Sequence, residues 1–455
     1  MKILVINGSP KGKYSITLQT INYLERKYKN HEFKVLNAGQ SIKSLEKDFS
    51  KAEPLLREAE LIIFSYPVYT FIAPAQLHRF IELLGERGID LSGKAATQIT
   101  TSKHFYDVTA HRYVEENIYD LGMNYVKGLS ADMDDLLTEG GRDEAEKFFN
   151  RLIWSVERGV FEKPSSPKSS YVPKEATLPE QQNLTEKKQD YDVVIVTDLT
   201  DKSSNLSCMI DRFRAVFPYN TRVINISEYP LMGGCLGCFN CAVSGKCVYK
   251  DGFDEFLRNE IQTASATLYA FNIRNHCMGA RFKMYDDRNF CNGHRTVTVG
   301  KPVAYLVSGE YSKEFNLRTI IEGRAQVGQN FLAGVATDEE NPNLEIDTLA
   351  LSLANALETS HTEPQNFLGV GGMKIFRDLI YQMRGMMRAD HKFYKKHGHY
   401  DFPQKKWALS LKMYLVGFLL SSEKIRKKMG NKMNEGMLMP YTKLFAELDK
   451  KQKNE

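Results

Sequence analysis

Residues 3–17 read Ile3-Leu4-Val5-Ile6-Asn7-Gly8-Ser9-Pro10-Lys11-Gly12-Lys13-Tyr14-Ser15-Ile16-Thr17. Ile3 to Ile6 is the continuous apolar run of a strand buried on both faces. The small residues that follow break it, and the apolar spacing from Ile16 to Tyr28 suits a helix. Outward from this unit the pattern repeats. Lys34 to Leu36, Leu61 to Phe64 and Ala95 to Ile99 read as strands, while Pro74 to Leu84 and Asp107 to Leu121 read as helices. Such alternation predicts βαβ units and a doubly wound parallel sheet, an α/β fold.

The segment 161–190 interrupts it with Pro164, Pro167, Pro173 and Pro179 among Ser, Lys, Glu and Gln, a linker composition. Alternation resumes at Tyr191 and continues at Thr221 to Ile226, Ala266 to Phe271 and Pro302 to Ser308. The halves align in register. A shift of 189 lays Ser15 on Ser204, and a shift of 206 lays Ser102 on Ser308, so the second half carries insertions. The cysteine-rich loop and 275–295 are the natural places for them. This reads as a duplicated domain. The expected organisation is 1–160 and 191–365 as two sheets in tandem, followed by a helical, basic extension over 366–455.

At 455 residues the chain is long enough for two or three domains. A formal net charge of +5, with no arginine-rich run, does not suggest nucleic acid. The N-terminus reads as a strand rather than a signal peptide, and 407–420 is too short to span a bilayer. Four of the seven cysteines crowd into 235–247, which points to metal or redox use in a reducing compartment and so to the cytoplasm.

A strand, a small-residue loop and a helix N-terminus together make an anion site. Ser9, Lys11, Ser15 and Thr17 are its candidate donors; the plainer reading is an ordinary βα turn with a serine N-cap. Pro67-Val68-Tyr69-Thr70 follows the third strand and Thr101-Ser102-Lys103-His104 the fourth, on the carboxyl edge where such sheets bind ligands. These three loops resemble the flavin loops of the NADPH-dependent FMN reductase family, which has the flavodoxin-like fold. The resemblance covers most of 1–155. It implies FMN, with its phosphate on the first loop, its ring flanked by the other two, and NAD(P)H as substrate. Ile16 departs from the pattern, since relatives commonly carry Asn there. His104 and His111 are candidate proton donors or nicotinamide contacts, but surface histidines are commonly structural, and no catalytic acid or base is assigned.

Cys235, Cys238, Cys241 and Cys247 follow a C-x2-C-x2-C-x5-C spacing. Three thiolates at i, i+3 and i+6 suit one face of a [4Fe–4S] cluster, with the fourth closing it. Zinc, a redox dithiol or a metal-free remnant remain open. The run resembles the compact motif of iron–sulfur flavoproteins, which carry FMN and such a cluster. Cys208, Cys277 and Cys291 read as buried small hydrophobes. In the second half Thr197-Asp198-Leu199 replaces Gly-Ser-Pro, and Asp198 would repel a phosphate.

The expected function is an FMN-dependent oxidoreductase exchanging electrons with a [4Fe–4S] cluster and with NAD(P)H or a ferredoxin. The alternatives are a cluster-free quinone or flavin reductase and a non-catalytic flavodoxin-like electron carrier. From Met373 onward there are 19 Lys+Arg against 8 Asp+Glu. This tail is expected to be a packing helix at a domain or homodimer interface, ahead of a membrane-surface helix or a dock for an acidic ferredoxin.

Overall fold

The computed structural model describes residues 1–164, 171–180, 187–429 and 432–452. The first domain contributes β1 (Lys2–Asn7), β2 (Glu32–Leu36), β3 (Leu61–Pro67), β4 (Ala95–Ser102), β5 (Asn124–Tyr125) and β6 (Leu129–Asp132). The second contributes β7 (Lys188–Thr197), β8 (Tyr219–Asn225), β9 (Ala266–Arg274), β10 (Cys277–Met278), β11 (Val303–Ser308) and β12 (Leu332–Thr337). The strand orders are β2-β1-β3-β4-β5 and β8-β7-β9-β11-β12, with β6 on β4 and the short β10 antiparallel on β9. Both are the flavodoxin-like doubly wound order.

Apolar continuity explains why these runs become central strands. In the first sheet Ile3, Val5, Leu61, Ile63 and Ile99 pack against Leu18, Ile21 and Leu24 of helix Ile16–Lys27 and Phe149 and Leu152 of helix Glu139–Arg158. In the second, Val193, Ile195, Leu268 and Leu306 meet Met209 and Phe213 of helix Asn205–Val216 and Leu349 and Leu353 of helix Pro342–Glu358. The alternate residues Leu4, Ile6, Ile62 and Phe64 are buried too, as strands covered on both faces require.

The duplication is visible position by position. Ser15 and Ser204 are the N-caps of two twelve-residue helices, and Ser102 and Ser308 each end their strand. The domains pair through helices Ala75–Glu86 and Ala280–Arg288. Glu82 Oε1 accepts from Ala280 N (2.7 Å), and Asp287 Oδ2 accepts from Ala75 N (2.8 Å). Each helix therefore caps the other's N-terminus, which makes them antiparallel and reciprocal, as in a two-fold pair.

Part of the linker is tied down. Lys174 N donates to Asp338 O (2.7 Å), Ala176 N to Asn205 Oδ1 (2.9 Å), and Ala176 joins the second core. The linker positions 165–170 and 181–186 lie outside the described residues. Within the extension, helix Phe367–Gln382 packs on helix Phe315–Gly328, so residues up to Tyr394 form one compact unit with both domains. Residues 395–455 form a separate unit of helices, among them Trp407–Leu420, Glu423–Met429 and Lys432–Gln452.

Candidate functional site

The carboxyl edge of the first sheet opens into a cavity of about 220 Å³. The first loop brings Ser9, Lys11, Ser15 and Thr17 to it, the second Pro67, Val68, Tyr69 and Thr70, the third Thr101 and Ser102. His104 does not line it. Its ring is half exposed and its Nδ1 sits 2.8 Å from Asp107 Oδ2. His111 faces inward, with Nε2 2.7 Å from Thr100 Oγ1, and burial lowers its pKa to about 4, so it is neutral at pH 7.

Several donors around this cavity have no acceptor. Thr17 Oγ1 and Thr101 Oγ1 are buried without a hydrogen-bond partner, and the N-terminus of helix Ile16–Lys27 has no side-chain cap. Buried hydroxyls left unpaired are costly. An anion beside that helix N-terminus would satisfy the Thr17 hydroxyl together with Lys11. Burial lowers the Lys11 pKa, while Cys238 and Cys235 pull it up. The residues present therefore fit a flavin phosphate.

The two ring loops are held in conformations that side chains rarely adopt. Thr70 and Phe71 have φ of 40° and 75°, His104 and Tyr106 of 58° and 54°. Such strain persists only where surroundings fix it. Tyr69 and Ile72 exchange backbone bonds of 2.8 and 3.2 Å. Lys283 of the second domain, fully buried, donates to Tyr69 O (3.0 Å) and Thr70 Oγ1 (2.6 Å). It also pairs with the buried carboxylate of Asp287, which accepts from Thr70 as well.

The cysteine loop sits in the connection from β8 to β9 and reaches across the domain boundary to the same cavity. Cys235, Cys238, Cys241 and Cys247 all line it, and so does Cys291. Gly237, at φ +59°, lies so close to the first domain that an added Cβ would fall 1.9 Å from the Tyr69 hydroxyl oxygen. Gln76 Nε2 donates to Cys235 O (3.2 Å), and Lys11 Nζ lies 5.5 Å from the centre of the Phe239 ring. Arg288 anchors the loop's base. It donates to Gly233 O (3.0 Å) and grips Asp251 through two bonds of 2.9 and 2.7 Å. Burial alone would raise the Asp251 carboxyl; that grip instead holds it at about 2.

All seven cysteines are free. Burial pushes Cys235 up to about 12 and Cys241 to about 11. Thiols held that high are protonated at pH 7. No three of the cysteine sulfurs lie within 4.8 Å of one another, whereas one tetrahedral zinc at about 2.3 Å per bond would gather four within about 4 Å. A cubane takes one thiolate at each iron corner and spreads them wider. Gly237 N, 3.4 Å from Cys235 Sγ, and the nearby Arg288, Arg295 and Lys11 favour negative charge at these sulfurs, while Asp287 beside Cys235 and Asp390 beside Cys241 oppose it. Four thiols line one cavity, the donor type that zinc sites and iron–sulfur clusters both use. Cys277 and Cys291 are buried, as expected for small hydrophobes, while Cys208 is only partly so.

Residues 1–133 match the family model described as NADPH-dependent FMN reductase. The match falls on the first domain alone and leaves residues 134–455 outside it. Solved structures similar to the chain include general stress protein 14 of Treponema denticola in complex with FMN, at 15% identity and TM-score 0.27, covering 35% of this chain and 99% of that one. An FMN-dependent NADH-azoreductase of Bacillus anthracis in complex with FMN gives 14% and 0.28, covering 35% and 99%. The NADPH-quinone reductase of P. pentosaceus gives 18% and 0.26, covering 36% and 100%. No curated protein matches the chain in sequence.

The second domain keeps the fold but fills the matching edge. Asp338, fully buried, accepts from Ser308 Oγ (2.7 Å), Gly309 N (2.9 Å), Asn205 Nδ2 (2.9 Å) and the Tyr171 hydroxyl. Where the first domain leaves its helix N-terminus open, here 171–177 packs on Asn205 and Asp338. Asp198, pushed up to about 6 by burial, adds an acid at the position of the first phosphate loop.

Two contributors went unread in the sequence. Cys291 has no ligand-like spacing to the others. Phe376, stacked on Phe105 at 4.3 Å, belongs to a helix more than 230 residues away from the flavin loops.

Proposed function

We propose that the chain is an FMN-dependent oxidoreductase that takes electrons from NAD(P)H in its first domain and passes them through a [4Fe–4S] cluster held by its second. One observation carries this reading: three flavin-type loops and four ligand-spaced cysteines, from different domains, line a single cavity. Bound FMN supplies hydride acceptance and the change from two-electron to one-electron transfer. The chain supplies the rest. Ser9, Ser15, Thr17, Lys11 and the N-terminus of helix Ile16–Lys27 hold the phosphate. Loops 67–71 and 101–102 set the ring plane, fixed from behind by Lys283 and Asp287. Ile375, Phe376 and Leu379 close the cavity with apolar surface, which limits water around the reacting groups. Cys235, Cys238, Cys241 and Cys247 hold the cluster beside Tyr69. A small-molecule acceptor or a ferredoxin takes the electrons onward.

The test is flavin, iron and acid-labile sulfide counted per chain after purification without oxygen. The expected result is one FMN and about four irons, because a single cluster needs four and the second domain's edge is filled. Cys238→Ser should lose iron and keep flavin. Flavin without iron in the unsubstituted chain would leave a cluster-free NAD(P)H-dependent flavin reductase. Two FMN per chain would refute the filled second site.

A further inference from the structure

The tail has an unusual exposure pattern. In helix Trp407–Leu420 the apolar run is interrupted only by Ser410, Lys412 and Gly417, and none of its residues is buried. Trp407, Tyr414 and Phe418 are 72, 80 and 79% exposed and share one side at about 100° per residue. Leu409 and Met413, also exposed, fall on the opposite side. A helix that is apolar all round needs apolar surroundings on every side, which a one-sided protein groove does not offer. At about 1.5 Å per residue its fourteen residues span about 21 Å, short of the ~30 Å of a hydrocarbon core. No helix among the described residues is long and apolar enough to cross a membrane.

The flanking elements complete the pattern. Lys405 and Lys406 precede the helix, and Lys424, Arg426, Lys427 and Lys428 follow it. Helix Lys432–Gln452 carries a true stripe. Leu438, Tyr441, Leu444, Phe445 and Leu448 are exposed and lie within about 120° of one another, while Lys443, Glu447 and Lys450 lie opposite. Residues 395–455 hold 14 Lys+Arg and 6 Asp+Glu, a net +8. Two copies of so cationic a unit repel each other. An anionic lipid surface attracts it.

We propose that residues 395–455 attach the chain to anionic membranes. Helix Trp407–Leu420 enters one leaflet, the basic run meets the headgroups, and helix Lys432–Gln452 lies along the interface. The even apolarity that argues against an amphipathic packing helix is what insertion into a leaflet requires.

The test is co-sedimentation of the full chain with vesicles of phosphatidylcholine containing phosphatidylglycerol, against phosphatidylcholine alone, at low and high salt. Binding to the anionic vesicles, weakened at high salt, is the expected result. Leu415→Asp/Phe418→Asp should weaken it at least tenfold. Lys424→Gln/Arg426→Gln should reduce binding to the anionic vesicles and leave the neutral ones unaffected. FMN content should be unchanged in both variants, since the flavin cavity is built wholly from residues before 395. Failure of the unsubstituted chain to bind vesicles would overturn the proposal, all the more if it forms an oligomer that Leu415→Asp/Phe418→Asp dissociates. Binding that survives Leu415→Asp/Phe418→Asp would overturn it too.

Discussion

Replacing Asp287 with alanine tests whether the second domain holds the flavin loop of the first. The carboxylate is 1% exposed and accepts from Ala75 N at 2.8 Å, from the Thr70 hydroxyl and from Lys283, which is 0% exposed. Burial pushes this carboxyl above its ordinary range against the pull of Lys283, so the pair itself adds little net stability. Breaking it is another matter. Removing one partner of a buried ion pair costs about 3–5 kcal/mol because the other charge is stranded, and the uncapped helix N-terminus adds about 1 kcal/mol. Lys283 would keep a carbonyl bond to Tyr69 and a 3.5 Å approach to Asp286, which Arg324 already engages. That relief places the expected loss near the lower end, about 3 kcal/mol. Chemical denaturation of the variant measures it. A second readout follows from loop strain. Thr70 and Phe71 sit at positive φ, at about 1–3 kcal/mol each. Released from Asp287, the loop must be re-ordered on binding, so FMN affinity should fall about tenfold, or 1.4 kcal/mol. Asp287→Asn, which keeps an acceptor for Ala75 N, should lose less. The double substitution Lys283→Met/Asp287→Leu should also cost less than Asp287→Ala. An Asp287→Ala loss below about 1 kcal/mol, or a double variant worse than the single, would refute the reasoning.

Two further outcomes are expected. Gly237→Ala puts a side chain at φ +59°, at about 1–2 kcal/mol, and its Cβ into the Tyr69 hydroxyl. Iron per chain and FMN affinity should both fall; unchanged values would mean the cysteine loop does not rest on Tyr69. His276 links the domains through Asp120 and Glu314, each at 3.0 Å. Burial alone would lower its pKa, but the two carboxylates hold it at about 10. A pKa raised above the unfolded value gives stability complete below about pH 6.5 and lost as pH rises towards 10. The thermal midpoint should therefore fall between pH 7 and 10, and His276→Gln should flatten that slope. Parallel slopes for the two proteins would exclude the link.

Much of the fold was legible because its signals are local. Apolar runs mark β1, β3, β4, β7, β9 and β11, and Ser15 and Ser204 mark equivalent helix starts. The edge strand β5 has only Asn124 and Tyr125, too few for any periodicity to register. The three loops that line the cavity were legible by order and spacing, except that His104 turns to Asp107. The loops' meeting with the cysteines was not, because it depends on how two domains pair. That pairing runs through Glu82, Lys283 and Asp287, three charged residues on helices that look solvent-facing in one dimension. The filling of the second site was hidden likewise, since Tyr171 lies in a segment whose composition is that of a free linker.

Asymmetry between equivalent domains is the organising fact of this molecule. In a symmetric pair each sheet edge would carry the same loops, and a cysteine loop reaching one edge would be matched by a second reaching the other. Fusion of the copies lifts that constraint. The first domain keeps open donors at Thr17 and Thr101, while the second neutralises its own edge with Asp338 and Tyr171 and turns its long β8–β9 connection outward. That connection contributes to a cavity only because the reciprocal helix caps fix the domains at one angle. Glu82 at Ala280 and Asp287 at Ala75 therefore govern both how the halves join and whether the cysteines reach Tyr69.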